Sequence, residues 1–239
     1  MRNTAAIMQR ELLSLFCSPV AYIVLMGFLI ATGVIAWVTS AFEPGAPATL
    51  RTVFTGTMFV LVIFVPAISM RTISEEYRSG TFESLMTAPV SDFQLVLGKY
   101  LATMVFYLIM IAGTLVYPIM MMIFGSPSLG VAFSGYLGLI AVGSAFMAVG
   151  IFASSLTRNQ IVAWILGTIP LVLLVLFGQF FVQFFEGRLR SFFQSLNIVR
   201  RFDQFNRGLI SSEDVVFFLG VTVLFLFLAV KVVESRRWR

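Results

Sequence analysis

Three long stretches of this chain contain no charged side chain, and they restrict its fold more than any other feature. Residues 100–157, 159–185 and 215–230 lack Asp, Glu, Lys and Arg entirely. A helix needs about 20 apolar residues to cross a hydrocarbon core about 30 Å thick. Backbone groups cannot stay unpaired in lipid, so only helices and closed barrels span a bilayer. Continuous apolar runs, unlike the two-residue alternation of barrel strands, predict helices.

Six apolar runs of spanning length follow one another along the 239 residues. The composition agrees, because 59% of the residues are hydrophobic and 11% are charged, whereas about a quarter are charged in soluble domains. We therefore predict an all-α membrane protein that forms a single transmembrane domain over 1–239. Its six membrane helices are predicted at residues 20–41, 53–70, 93–124, 129–156, 161–185 and 215–232.

The positive charges predict how these helices are oriented. When both termini are placed on one side, that side carries ten of the sixteen Lys and Arg residues and the other side six. Cytoplasmic loops carry the excess of Lys and Arg, so we expect both termini and the loop at 71–92 in the cytoplasm. Residues 1–18 are then predicted as an amphipathic lead-in on the membrane surface, and residues 186–214 as an outer interfacial segment.

Several classes of function are excluded or disfavoured by what the sequence lacks. With no histidine and one cysteine, it cannot form a His-based triad, a His-ligated metal site or an internal disulfide. The uncharged spans disfavour an ion-coupled transporter, which usually needs buried ionisable groups. The basic residues flank membrane segments instead of forming a stripe for nucleic acid. Gly98 and Lys99 are not followed by the Ser or Thr of a phosphate-binding loop, so we expect no bound cofactor.

The loop between the second and third predicted membrane helices gathers charges that the spans lack, and it predicts a helix, a break and a second helix. Thr72 and Glu75 have the spacing of a capping box, in which a hydroxyl and a carboxylate each bind a free amide. Gly80 can end the first helix, because glycine adopts positive φ at little cost. Ser91 and Gln94 form a second capping box, which is predicted to open the third membrane helix.

The second short helix is predicted to begin at Thr81 and to end before Pro89. Phe82, Leu85 and Met86 fall on one of its faces by i, i+3, i+4 spacing. Such an amphipathic helix can lie on the bilayer surface or dock on a protein. Periodicity alone does not decide between the two.

Small residues recur at a spacing of four on the fourth predicted membrane helix. This spacing allows helix backbones to approach closely where lipid supplies no hydrophobic drive. We interpret these positions as close packing within the bundle, with a dimer interface as the alternative. The pairs are Ser134 with Gly138, Ala141 with Ala145, and Gly150 with Ser154.

Residues 75–102, EEYRSGTFESLMTAPVSDFQLVLGKYLA, resemble the cytoplasmic signature of ABC-2 type permeases, the membrane subunits of ATP-driven exporters. In that family, acidic residues, a Gly-Thr pair, a Pro-Val/Ile-Ser turn and a Gly-Lys pair recur in this order. Residues 202–238 are similar to the last part of the permeases related to the gliding-motility protein GldF and the nitrous-oxide-reductase maturation protein NosY. Together with the six-helix layout, the resemblance covers the whole chain.

The resemblance implies the ABC-2 permease fold, in a multi-pass protein of the bacterial inner (plasma) membrane. It implies a non-catalytic permease subunit with two kinds of partner: a separate ATPase subunit that binds ATP, and a second permease that is a copy or a relative. ATP hydrolysis would drive export of an unidentified substrate, or mechanical work across the membrane. The short loop helices would be coupling helices, with the ATPase contact at Glu75, Glu76, Arg78, Gly80, Thr81, Phe82, Glu83 and Leu85.

A scaffold is the alternative function. In that case the chain transports nothing and uses the same loop to recruit a cytoplasmic ATPase or another partner. The two functions differ in whether ATP turnover by the partner responds to changes in the loop.

The outer interfacial segment carries a second group of candidate contact residues. Arg200, Arg201 and Arg207 can contact an outer partner protein, an acidic cargo or membrane lipid, and headgroup contact is the simplest interpretation. The segment is also predicted to contain an interfacial helix. Its apolar face would consist of Leu189, Phe192, Phe193 and Leu196.

Overall fold

The computed structural model describes residues 2–39, 50–81, 90–124, 128–180 and 194–237. Within these ranges the chain forms ten helices with defined bounds and no strand. In chain order they are α1 (Arg2–Phe16), α2 (Pro19–Val38), α3 (Arg51–Ser69), α4 (Ser74–Ser79), α5 (Asp92–Gly113), α6 (Val116–Phe124), α7 (Leu129–Leu156), α8 (Gln160–Phe180), α9 (Ile198–Asn206) and α10 (Ser212–Arg237).

Five helical stretches in the described residues are long and apolar enough to cross a membrane. They are Pro19–Val38, Arg51–Ser79, Asp92–Ile123, Leu129–Leu156 and Ser212–Arg236. These stretches support a multi-pass, helical membrane protein. A shorter apolar helix covers Gln160–Leu176. The predicted span at 161–185 runs beyond the described residues, so the count of six membrane helices stays a prediction.

The predicted third membrane helix, 93–124, is two helices, and Pro118 explains the break. Proline has no N–H, and its ring clashes with the carbonyl four residues earlier, which here belongs to Thr114. The chain leaves helical geometry at this point, between α5 and α6. The Thr114 carbonyl instead accepts hydrogen bonds from the Tyr117 amide (3.0 Å) and the Tyr136 hydroxyl (2.9 Å). A hydroxyl from α7 thus replaces the donor that proline lacks.

Helix α7 lies at the centre of the bundle and packs against α3, α5, α8, α9 and α10. Its small side chains make this possible. A Cβ on Gly143 would collide with the side chain of Tyr107, whose hydroxyl donates to the Leu139 carbonyl at 2.6 Å. The Ser134 hydroxyl donates to the Phe205 carbonyl at 2.7 Å. These small positions contact helices of the same chain, in agreement with the close-packing interpretation.

We expect the substitution Gly143→Ala to destabilise the bundle by about 1–3 kcal/mol, the usual effect of overpacking a filled core. The added methyl group would overlap Tyr107 and disturb its hydrogen bond to Leu139. The matched control is Gly220→Ala on α10, where nothing lies within 4 Å of the added atom. Thermal unfolding of the detergent-purified variants checks this. A melting temperature for Gly143→Ala equal to that of the unmodified protein would contradict it.

Candidate functional site

The short helix α4 follows α3 after a turn and presents one buried and one exposed face. Ser74, Glu76 and Tyr77 are its buried residues. Gly80 follows the helix with φ of 72°, in the left-handed region that glycine adopts at little cost. The helix therefore ends where the sequence predicts, with a polar element fixed at one end of the bundle.

One of the two predicted capping boxes forms, and the prediction of the other is wrong. Ser91 and Gln94 exchange both hydrogen bonds at the start of α5, at 3.3 and 3.4 Å. Thr72 and Glu75 form no capping box at the start of α4. Thr72 is buried in a turn that continues directly from α3, so its hydroxyl donates to the Ser69 carbonyl, three residues earlier, at 2.7 Å.

A serine from α7 caps α4 instead. The Ser154 hydroxyl accepts hydrogen bonds from the amides of Ile73 (3.2 Å) and Ser74 (3.0 Å), and it donates to the Met70 carbonyl (2.9 Å). Free amides at a helix start need such an acceptor. Because Ser154 is 80 residues away from Ser74 along the chain, rules based on local spacing could not find it. This contact joins α4 to the central helix of the bundle.

Lys99 on α5 is the charged centre of the site, and its side chain is 0% exposed. Its Nζ lies 3.0 Å from Glu11 Oε2 and 2.9 Å from Glu76 Oε1, and it donates to the Thr72 carbonyl. These partners belong to α1, α4 and the turn before α4. A buried ion costs several kcal/mol in desolvation unless partners compensate for it. The three segments are therefore held around one nitrogen atom.

Arg10 on α1 adds a second ion pair, with its Nη2 3.0 Å from Glu76 Oε1. Next to this pair, a cavity of about 290 Å³ lies between α1 and α4. Ser14 lines it from α1, and Glu75 and Ser79 line it from α4. The two helices thus face each other across this cavity, and Glu11 and Glu76, the two carboxylate partners of Lys99, also line it.

The end of α10 also reaches α4. The Arg236 guanidinium lies 4.5 Å from the centre of the Tyr77 ring, and its Nη2 donates to the Leu156 carbonyl at 2.7 Å. A cation over an aromatic face contributes about 0.5–2 kcal/mol. Nothing in the local sequence around Arg236 indicates this contact, because the partners lie in other helices.

Five of the eight residues that the resemblance assigns to an ATPase contact lie in described positions. Glu76 faces inward, towards Lys99 and Arg10, and only 9% of it is exposed. The partly or fully exposed residues are Glu75, Arg78, Gly80 and Thr81. The predicted second short helix lies outside the described residues, and with it Phe82, Glu83 and Leu85.

In the segment predicted to face outward, Arg201 is engaged within the chain. Its Nη1 lies 2.7 Å from Asp214 Oδ1 on α10, and its Nε donates to the Ser195 carbonyl at 2.7 Å. The guanidinium also lies 4.3 Å from the centre of the Phe217 ring. Arg201 therefore fastens α9 to α10, and 17% of its side chain stays exposed.

The two other candidate arginines, Arg200 and Arg207, are exposed. Arg207 forms an ion pair with Asp203 at 2.6 Å on the surface, and Arg200 has an exposed side chain. Leu196 is exposed, and the rest of the predicted apolar face lies outside the described residues, namely Leu189, Phe192 and Phe193. Lipid or partner contact of the three candidate arginines stays a prediction.

These features define a helical, multi-pass membrane protein in which a polar loop helix is anchored to the bundle from several sides. Within the described ranges, no group of three or more His, Cys, Asp or Glu residues could hold a metal ion. Residues 39–202, more than half of the chain, match the family model described as ABC-2 family transporter protein. The chain belongs to this family, whose members are generally non-catalytic membrane subunits that work with an ABC ATPase. No curated protein matches the chain.

We expect Lys99→Met to lower the free energy of unfolding by about 3–5 kcal/mol, because it leaves the carboxylates of Glu11 and Glu76, only 14% and 11% exposed, without their shared cation. The matched control is Lys231→Met on α10, whose ion pair with Glu234 (2.7 Å) is exposed. Exposed pairs contribute about 0–1 kcal/mol. Chemical unfolding in detergent micelles measures both variants. Equal losses for the two lysines would show that the Lys99 pairs do not stabilise the bundle.

At the other end of the bundle, we expect Arg201→Met to destabilise the protein by about 3 kcal/mol or more, since Asp214 would stay buried without its counter-ion. Arg207→Met serves as the control, because the Arg207 side chain is 60% exposed in its pair with Asp203. Thermal unfolding of the two variants decides the matter. The interpretation of Arg201 fails if the control loses as much stability.

Proposed function

We propose that this chain is the transmembrane permease subunit of an ABC-2 type transporter, and that the exposed face of α4 and the residues after it dock on a separate ATPase subunit. The protein lies in the bacterial inner (plasma) membrane, with both termini and the α4 loop in the cytoplasm. ATP hydrolysis drives export of an unidentified substrate, or mechanical work across the membrane. Family membership supports the permease role, and the distribution of Lys and Arg supports the orientation.

One observation carries this proposal: α4 has six residues and is held by contacts with several other helices. An isolated helix shorter than about 12 residues is marginal in water, so the bundle supplies the stability of α4. Ser154 on α7, Lys99 on α5 and Arg236 on α10 each contribute a contact. A helix that only floats on the bilayer surface needs no such anchoring. Helix α4 is anchored to the bundle by one face and exposed on the other. A soluble partner that binds the exposed face can therefore transmit a force to the membrane helices.

The anchoring suggests how ATP hydrolysis acts on the membrane helices. When the ATPase subunits close on ATP, they displace the exposed face of α4 around Arg78 and Gly80. Because α4 is bonded to α5 and α7 and follows α3 directly, the displacement moves these helices together. Close-packed interiors transmit strain, and rigid-body movement of packed elements is a common form of switching. The spans then open towards one side of the membrane and close towards the other.

We also propose that the chain works as a pair with a second permease, as a homodimer or with a relative. The support is the resemblance to ABC-2 permeases, which pair over two ATPase subunits. The finer likeness to the GldF and NosY group rests on residues 202–238, whereas the family match covers 39–202. Membership of that group is therefore proposed on the sequence pattern of residues 202–238 alone.

The docking proposal is tested by reversing one exposed charge on α4. We expect Arg78→Glu to reduce the amount of ATPase that co-purifies by about tenfold, which corresponds to about 1.4 kcal/mol. The matched control is Arg200→Glu, an exposed arginine at the other end of the bundle, which should leave ATPase recovery unchanged. Purification in mild detergent, with identification of a P-loop ATPase by mass spectrometry, measures this.

ATP hydrolysis in liposomes separates a transporter subunit from a scaffold. In a transporter, the hydrolysis rate of the bound ATPase changes when Glu75 or Gly80 is substituted, because the contact transmits movement in both directions. If the hydrolysis rate is unchanged by both substitutions while the ATPase stays bound, the chain is a scaffold. Absence of any ATPase from the purified unmodified protein would contradict both.

A further inference from the structure

The proposed function concerns α4, but the ion pairs of Lys99 reach equally to the N-terminal helix α1. We propose that Lys99 is a positioning residue that makes α1 and α4 one mechanical unit on the end of α5, so that α1 moves with α4 when the ATPase acts. This inference rests on the proposed docking of an ATPase at α4. It gives α1 a role beyond that of an amphipathic lead-in on the membrane surface.

The donors of Lys99 are shared among different segments. A lysine ammonium has three donors. They are directed to Glu11 of α1 (3.0 Å), to Glu76 of α4 (2.9 Å) and to the Thr72 carbonyl in the turn before α4. Each donor thus has one partner. A displacement of α4 that preserves these bonds must carry α1 with it.

The glycine that precedes the buried lysine allows α1 to approach this closely. A Cβ on Gly98 would lie 2.9 Å from Cγ2 of Ile7 and 3.0 Å from the Thr4 carbonyl oxygen. Further along α1, Phe16 packs edge-on against Phe106 of α5, with 5.5 Å between the ring centres. Apolar packing and the Lys99–Glu11 ion pair therefore hold α1 against α5. Gly98 allows the close approach and Lys99 forms the ion pair, so the two residues act together although they do not form a phosphate-binding loop.

The charges around the site balance only when Lys99 is present. Glu11 and Glu76 face Lys99 and Arg10, so two carboxylates meet two cations. The Arg10 side chain is 57% exposed, and solvent weakens its contribution. Without Lys99, two carboxylates from different helices stay close together in a desolvated place and repel each other. Lys99 is thus the buried cation that joins α1 to α4.

The test uses the protein together with the ATPase that co-purifies with it, reconstituted in nanodiscs. The main variant combines Lys99→Met with Glu11→Gln and Glu76→Gln. This triple variant keeps side chains of similar size and leaves no buried carboxylate unpaired, so the bundle can fold without the ion pairs. Lys99→Arg, which keeps the charge, is the conservative variant. The background is Cys17→Ser, since Cys17 is exposed.

Two measurements follow α1 and the ATPase separately. Nitroxide labels at Gln9→Cys on α1 and Arg158→Cys between α7 and α8, both exposed positions, report the distance of α1 from the bundle. The rate of ATP hydrolysis reports whether the bound ATPase is coupled to the membrane helices. We expect one narrow distance in the unmodified background and a broad distribution in the triple variant. Ser154 and Arg236 still anchor α4 in the triple variant, so it should keep its ATPase bound, while hydrolysis falls to the rate of the isolated ATPase. Lys99→Arg should restore the narrow distance and the hydrolysis rate.

Several results would overturn the inference. A triple variant with the narrow distance would show that Lys99 does not position α1. A broad distance with unchanged hydrolysis would show that the ion pairs stabilise the fold without taking part in coupling. A Lys99→Arg variant that behaves like the triple variant would also count against it. If the unmodified protein binds no ATPase, the proposed function fails, whereas the label distances still decide whether Lys99 fixes α1.

Discussion

The polar end of this protein depends on one buried ammonium group. Lys99 lies on a helix whose other residues up to the break before α6 are uncharged beyond the first turn, and its side chain is removed from solvent. Such a charge is tolerated only if its partners stay in place. The positions of Glu11, Glu76 and the turn at Thr72 follow from this constraint. Helices that are far apart in the sequence are thereby held in a fixed relation.

Helix α7 connects the polar end of the bundle, around Lys99 and α4, to the opposite end. Near its end at Leu156, Ser154 caps α4, and near its start at Leu129, Ser134 binds the Phe205 carbonyl of α9. Between these points, small residues allow neighbouring helices to pack tightly, as Tyr107 does over Gly143. One helix is therefore bonded to the polar segments at both ends of the bundle. In the proposed function, this helix is the direct route by which a displacement of α4 reaches the other side of the membrane.

The sequence predicted those features that depend on neighbours in the chain. The apolar runs, the end of α4 at Gly80 and the capping box of Ser91 with Gln94 rest on composition or on spacing of a few residues. The resemblance in residues 75–102 predicted the family, which the family match confirms.

Contacts between distant helices were not predictable in this way. The spacing of small residues indicates only a packing role for Ser154, although it caps α4. The spacing of Thr72 and Glu75 predicts a capping box that does not form, because a buried turn gives the Thr72 hydroxyl a nearer acceptor. The resemblance assigns Glu76 to a partner contact, and no local pattern indicates that a lysine on another helix turns it inward. Such pairings depend on how helices are arranged in space, and one sequence without covariation does not contain that information.

In the proposed function, the anchored helix α4 faces the cytoplasm, where an ATPase can reach it. The most direct measurement is labelling of Arg78→Cys with a membrane-impermeant thiol reagent, in a Cys17→Ser background. We expect no labelling in intact cells and full labelling in inside-out membrane vesicles. Labelling of Arg78→Cys in intact cells, with vesicles protected, would contradict it, because α4 would then face the exterior.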